Sequence, residues 1–135
     1  MPLRLLPASE VVVVSHLKAA SDVAALVGAR VGTELYAGTS PAVWLSLVTG
    51  SEVVRNHLIR AVVDVRSYGG SKADADLLAR TVHAVMLAAP GTHAGGIVNA
   101  VDTLTLPFWL PDDGFEPPRP RYVGTYEVTL HPLPS

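Results

Sequence analysis

The sequence contains no cysteine and has few aromatic or charged residues. Of its 135 residues, 6% are aromatic and 16% are charged. The lack of cysteine excludes disulfides, thiol nucleophiles and thiolate metal sites. No apolar run reaches the roughly 18 residues that span a bilayer, and the first ten residues hold no apolar segment long enough for a secretory signal. We therefore expect a protein of the cytoplasm, with no membrane partner.

Charge and hydropathy favour self-association over nucleic-acid binding. Ten basic and twelve acidic residues are spread without long runs, so the chain lacks the basic footprint of a nucleic-acid-binding protein. Hydrophobic residues make up 49% of the chain and the mean hydropathy is +0.34, which is high for a soluble monomer of this length. We predict one domain over residues 1–135, with a tendency to form oligomers.

Three helices are predicted from apolar periodicity and end signals. They run over residues 10–20, 21–27 and 72–88. Ser9 and Ser71 stand where N-caps are expected, Gly28 ends the second helix, and Pro90 follows the third. The third helix has the clearest apolar stripe, so it should cover a sheet.

Strand patterns cover residues 30–36, 42–49, 57–68, 97–106 and 121–131, with a turn at 38–41. The clearest is 57–68, where apolar residues alternate with Arg60, Asp64 and Arg66 on the opposite face. Strands and helices do not alternate regularly along the chain. The sequence therefore predicts an α+β fold, an antiparallel sheet of about four strands with helices packed on one face.

The link between the last two predicted strands reads PFWLPDDGFEPPRP, residues 107–120. Its five prolines have no amide hydrogen to give to a sheet, so we predict a protruding arm instead of a tight, continuous hairpin. Phe108, Trp109 and Phe115 are costly to leave in water. We expect this domain or a neighbouring copy to cover them.

Candidate catalytic and metal-binding patterns are weak. Ser15 and Lys18 form an S-x-x-K spacing, but neither of its partner signatures follows, so a plain helix surface is the preferred interpretation and a small hydrolase a rival one. Asp112 and Asp113 indicate a turn before Gly114. The five histidines show no metal-ligand spacing on one element; they are His16, His57, His83, His93 and His131. We predict no catalytic residue, cofactor or metal.

The glycine pairs of the chain match no phosphate-binding motif. Gly69 and Gly70 are explained by a turn between a strand and a helix. Trp44 is interpreted as a core or sheet-edge aromatic. A ligand-binding domain in which Trp44 and the aromatic link close a pocket remains a further alternative.

Three segments together resemble the tail-terminator, or tail-completion, proteins of long-tailed bacteriophages, especially those of actinobacteria. The segments are DVAALVGARV, HLIRAVVDVRSYGGS and PFWLPDDGFEPPRPRYVGTYEVTLHP. The resemblance implies a non-enzymatic virion protein that forms a ring, generally a hexamer, at the head-proximal end of the tail tube. It implies the tail-tube protein and a head-completion protein as partners, DNA passing through the ring, and assembly in the host cytoplasm. A neck, or head-completion, protein is the alternative.

Two residue sets are the candidates for contacts in such a ring. The first, at the subunit interface, comprises Phe108, Trp109, Phe115, Arg119 and Arg121. The second, on the sheet face turned to a neighbour or to the lumen, comprises Arg60, Asp64 and Arg66. Aromatic and arginine side chains concentrate binding energy at protein interfaces.

Overall fold

Three helices and a six-stranded sheet form the described part of the chain. The computed structural model describes residues 3–34 and 40–134. The elements are α1 (Ser9–Ala19), α2 (Ser21–Val27), β1 (Val31–Gly32), β2 (Ala42–Val54), β3 (Leu58–Tyr68), α3 (Lys72–Leu87), β4 (Gly91–His93), β5 (Gly96–Trp109) and β6 (Arg121–His131). The sheet order is β1-β2-β3-β6-β5-β4. The mixed α+β class is confirmed.

The predicted count of about four strands was wrong, because the sheet has six. The edge strand β1, two residues long, lies within the strand predicted over residues 30–36, whereas the edge strand β4, three residues long, is too short to show a periodic pattern and was not predicted. The sheet is also not wholly antiparallel, since β1 pairs with β2 in parallel. The end of the strand predicted over residues 30–36 and the start of the turn predicted at 38–41 lie outside the described residues.

The helix ends follow the sequence signals with one exception. The hydroxyl of Ser71 accepts a hydrogen bond from the Asp74 amide at 3.1 Å and caps α3, as predicted. Gly28 ends α2 with a φ of 62°, a conformation that suits glycine. Ser9, predicted as the N-cap of α1, is instead the first helical residue and is buried, while Ala8 occupies the cap position without a side-chain hydrogen bond.

The hydrophobic core joins the helices to alternate residues of the central strands. In β3, Ala61, Val63 and Val65 are at most 2% exposed, as the alternation predicts. They belong to one cluster with Leu17 of α1 and Val82 of α3. The intervening β3 side chains therefore lie on the other face of the sheet.

Both long hairpins extend beyond the predicted strands. β2 continues to Val54, and the turn to β3 contains Asn56 with a φ of 52°. β5 continues through Pro107 to Trp109 while still paired with β6. The prediction that proline prevents a continuous hairpin was therefore wrong at Pro107. A bulge between Thr105 and Phe108 accommodates the ring of Pro107. On its outer side β5 has no strand partner at this position among the described residues, so no hydrogen bond is lost by the missing amide hydrogen.

Candidate interaction surface

The segment predicted as a protruding arm is an irregular extension of the β5–β6 hairpin. The amide of Leu110 donates to the Arg121 carbonyl at 3.0 Å, and Asp112 and Arg119 exchange two backbone hydrogen bonds of 2.9 and 3.0 Å. The Gly69 amide donates to the Pro120 carbonyl at 3.2 Å. Loop 110–120 is thus fastened both to itself and to the end of β3.

A buried tyrosine anchors this loop. Tyr68, the last residue of β3, has no exposed surface, and its hydroxyl donates to Asp112 Oδ2 at 2.7 Å. Arg121 lies 3.5 Å from the same carboxylate and donates to the Leu110 carbonyl at 2.8 Å. The turn predicted at Asp112 is confirmed, since Asp112 Oδ1 accepts from the Gly114 amide at 3.1 Å. The sequence showed the turn but not its tyrosine partner.

Two aromatic rings hold the Arg119 side chain. Its guanidinium carbon lies 4.9 Å from the Tyr68 ring centroid and 4.7 Å from that of Phe115. Stacking of this kind stabilises a desolvated cation. Phe115, Arg119 and Arg121 therefore all have partners within the subunit.

The contacts of Tyr68 and Asp112 shift the pKa values of both side chains. Burial raises the pKa of Tyr68, and its hydrogen bond to Asp112 raises it further. Burial alone would raise the pKa of Asp112, but hydrogen bonds from Tyr68 and Gly114 and the charge of Arg121 outweigh it and lower this pKa below 3.8. At neutral pH the carboxylate is charged and the phenol is neutral, so each serves the other as a hydrogen-bond partner.

A second buried tyrosine, in β6, contacts α3. Tyr126 has no exposed surface, and burial raises its pKa to about 12. Its hydroxyl lies 2.9 Å from His83 Nδ1 of α3. This polar contact helps to attach α3 to the sheet.

Phe108 and Trp109 lie at the end of β5 and differ from the rest of the predicted interface set. Phe108 is 45% exposed and Trp109 is 37% exposed. Trp109 lies 5.6 Å from the Tyr122 ring, and the Lys72 ammonium lies 5.0 Å from the Trp109 centroid. Both aromatics thus retain a large accessible surface.

The three predicted sheet-face residues share a polar surface, which we call the polar face. Arg66 lies 4.5 Å from the Trp44 ring centroid, donates to the Ser46 hydroxyl at 3.0 Å and lies 3.5 Å from Asp64. Asp64 also accepts from the Thr125 hydroxyl at 2.7 Å. This part of the polar face joins β2, β3 and β6 through side-chain contacts.

Arg60 lies further along the polar face and is less constrained. Its guanidinium lies 3.9 Å from Glu127, and 53% of its side chain is exposed. An exposed pair at this distance contributes little to stability. Of the three predicted residues, Arg60 is the one with a charge still available to an outside partner.

Exposed apolar side chains concentrate on β2 and β5, and the sequence reasoning missed those on β2. In β2 they are Leu47, Val48, Val53 and Val54, and in β5 they are Leu104, Leu106, Phe108 and Trp109. The sequence signal for this surface was the β-branched pair Val53 and Val54 at the end of the segment VTGSEVV. The strand predicted over residues 42–49 ended before this pair. Contiguous exposed apolar surface marks sites of association.

The candidate catalytic and metal-ligating residues do not form a reactive cluster. Ser15 is partly buried and Lys18 is exposed on α1, whereas an S-x-x-K mechanism needs a desolvated lysine. Residues 3–34 and 40–134 contain no group of three or more His, Asp or Glu side chains that could hold a metal ion. In the same residues no helix is long and apolar enough to cross a membrane.

The fold brings together histidines that are distant in sequence. The ring centroids of His16 and His93 lie 5.0 Å apart. His16 Nε2 donates to the Val85 carbonyl at 2.5 Å, and His93 Nε2 donates to the Ala89 carbonyl at 2.6 Å. Val85 belongs to the last turn of α3, and Ala89 follows the C-cap residue Ala88. The two histidines therefore contact the backbone at and just after the end of α3.

These features define an α+β domain with a candidate interaction surface of exposed apolar residues on β2 and β5 and a polar sheet face. The fold is similar to that of a chain in a solved structure described as the virion of a native gene transfer agent (GTA) particle, with a TM-score of 0.59 and 18% identity. The match covers 88% of this chain and 91% of that chain. No protein-family model and no curated protein matches the sequence. At this identity the similarity shows a shared fold.

Proposed function

We propose that this chain is a virion structural protein that ends the tail tube of a long-tailed bacteriophage. In this proposal identical subunits form a ring, generally a hexamer, at the head-proximal end of the tube. The ring stops tube polymerisation and offers the surface to which the head joins. The role is geometric: a ring that matches the last layer of the tube but lacks its elongation surface ends growth.

The shared fold with a virion chain carries the proposal. That similarity extends over 88% of this chain and 91% of the other, so it concerns the whole subunit and not one motif. It agrees with the virion role that the three sequence segments imply. The exposed apolar strands are a second support, because they suit a subunit that is buried among neighbours.

The two predicted residue sets have distinct places in this ring. Phe108 and Trp109 are accessible and supply the aromatic anchors between subunits. Phe115, Arg119 and Arg121 hold loop 110–120 in the shape that presents those anchors. In the proposed ring, the polar face with Arg60 turns to a neighbouring subunit or to the lumen, where DNA passes.

Deletion of the gene followed by electron microscopy tests the proposal. We expect tails of uncontrolled length, because nothing ends tube growth. Complementation with the wild-type gene should restore a single length. Tails of normal length that lack heads would contradict the terminator role and favour the alternative, a neck protein.

Copurification separates the two roles independently. A terminator should be recovered with the tail-tube protein from lysates of head-defective mutants, in which tails still assemble. A neck protein should be recovered with portal or adaptor protein from tail-defective mutants. Recovery only in the second experiment would overturn the terminator assignment.

A further inference from the structure

Two strands of the sheet have long outer edges without a strand partner among the described residues. β1 pairs only with Val43 and Trp44 of β2, and the Glu10 carboxylate accepts from the Leu47 amide at 2.9 Å. Beyond these contacts, the outer side of β2 at residues 48–54 is open. No strand among residues 3–34 and 40–134 pairs with it there. We call this segment the β2 window.

The second open edge belongs to β5. β4 pairs with β5 only at residues 96–98, opposite 91–93. Residues 99–109 pair with β6 on one side and, within the described part of the chain, with no strand on the other. We call this segment the β5 window. The two windows lie on opposite edges of one sheet.

Neither window contains a lysine, and among the described residues neither is covered by a further strand. Free subunits avoid pairing through lysines, prolines or covered edges, but the two windows contain no lysine or arginine and only one proline, Pro107. Their exposed side chains are apolar instead: Val48 is 55% exposed and Val53 44%, while Leu104 is 52% and Leu106 66% exposed. Such edges are sites for strand addition.

The strand directions allow one window to pair with the other. β2 is antiparallel to β3, β3 to β6, and β6 to β5, so β5 runs opposite to β2. When neighbouring copies are related by rotation about an axis parallel to the strands, each strand keeps its direction from one copy to the next. The β5 window of one copy therefore meets the β2 window of the next in antiparallel orientation. Two different edges in contact make a head-to-tail interface, the type that closes into rings.

We propose that residues 48–54 of one copy pair with residues 99–109 of the next, so that the sheets join into one continuous sheet around a ring. The partner is thus a second copy of this chain, and the inference rests on the proposed ring. Bulges interrupt both β2 and β5, between Leu47 and Thr49 in β2 and between Thr105 and Phe108 in β5. Bulges bend a sheet, and bending is needed for closure.

Two edge-blocked variants test this pairing. Val48→Lys with Val53→Lys blocks the β2 window, and Leu104→Lys with Leu106→Lys blocks the β5 window. Each should require at least about tenfold more protein than the wild type for half-maximal association in sedimentation velocity. The matched control is Leu77→Lys with Leu87→Lys, which alters α3 side chains that are 46% and 48% exposed. The control should associate like the wild type.

Mixing the two blocked variants gives the decisive result. Each retains the edge that the other lacks, so an equimolar mixture should form a one-to-one dimer that grows no further. The dimer would also show that both variants are folded. Self-association of either variant alone at wild-type concentrations, or no dimer in the mixture, would overturn the edge pairing.

This outcome is separable from that of the proposed function. A wild-type chain that stays monomeric up to millimolar concentration would overturn the edge pairing and leave the tail-length test untouched. If the wild-type chain associates by edge pairing but the deletion strain makes tails of normal length, the edge pairing stands and the terminator role is overturned. The ring would then exist without a role in termination.

Discussion

The hydroxyl of Tyr68 donates a 2.7 Å hydrogen bond to the carboxylate of Asp112, across 44 residues of sequence. Tyr68 ends β3, and Asp112 lies in loop 110–120, which connects β5 to β6. Arg121 completes the contact, 3.5 Å from the same carboxylate. The loop therefore has a defined position, fixed by a polar cluster around the buried Tyr68 and not by hydrophobic packing alone.

Replacement of Tyr68 by phenylalanine should destabilise the protein by about 1 to 2 kcal/mol, because the carboxylate loses a charge-assisted hydrogen bond. Urea unfolding measures the loss. Tyr122→Phe is the matched control, since the Tyr122 hydroxyl takes no part in this cluster. Equal stability of the Tyr68 variant and the wild type would show that Arg121 alone holds the loop.

Acid should release the same contact in a defined pH range. The pKa of Asp112 is lower in the folded protein than its ordinary value of 3.8, so the unfolded chain binds the proton first. The stabilisation is complete above about pH 5 and is lost as the pH falls below about 4. The stability difference between the wild type and Asp112→Asn should therefore be constant from about pH 5 to 8 and shrink below that range.

The neighbouring carboxylate provides the control for this titration. Asp113 is exposed and lies outside the cluster. Asp113→Asn, which removes an equal charge outside the cluster, should change stability much less than Asp112→Asn at neutral pH. A pH-independent difference for Asp112→Asn would contradict the assignment of the acid-sensitive contact to Asp112.

The two glycines that follow β3 should respond very differently to a methyl group. A Cβ on Gly69 would lie 2.4 Å from the Ala75 amide nitrogen, whereas on Gly70 its nearest neighbour is Asp74 Oδ2 at 3.7 Å. Because the obstruction at Gly69 is backbone, Gly69→Ala should destabilise the protein by about 1 to 3 kcal/mol. Gly70→Ala should have a much smaller effect. Thermal unfolding of the two variants compares them, and equal midpoints would show that the turn can move away from α3.

The sequence predicted the elements whose signal is local. α3 and its Ser71 cap follow from an apolar stripe and a preceding serine, and the alternation of β3 identified its buried face. β6 has the predicted bounds. In each case one short segment contains both the pattern and the end signal, so no distant residue is needed to interpret it.

Non-local pairing explains what the sequence did not predict. β4 becomes a strand because β5 lies beside it, and its three residues carry no pattern of their own. Pro107 fits in a strand because Gly124 faces it, so that a Cβ there would lie 3.2 Å from the proline ring. The link between Tyr68 and Asp112 depends on strand register, which no single segment encodes.

Truncation of Trp109 should separate assembly from folding. Its ring is 37% exposed and contacts Tyr122 and Lys72 without entering the core cluster. Trp109→Ala should therefore leave the fold intact but weaken ring assembly by about 2 kcal/mol, roughly 30-fold in concentration, as expected for an aromatic anchor at an interface. Sedimentation measures assembly and circular dichroism the fold, with Leu77→Ala as an equally accessible control on α3. If the Trp109 variant assembles at wild-type concentration, the tryptophan covers only its own domain, and the interface must rely on the strand edges without it.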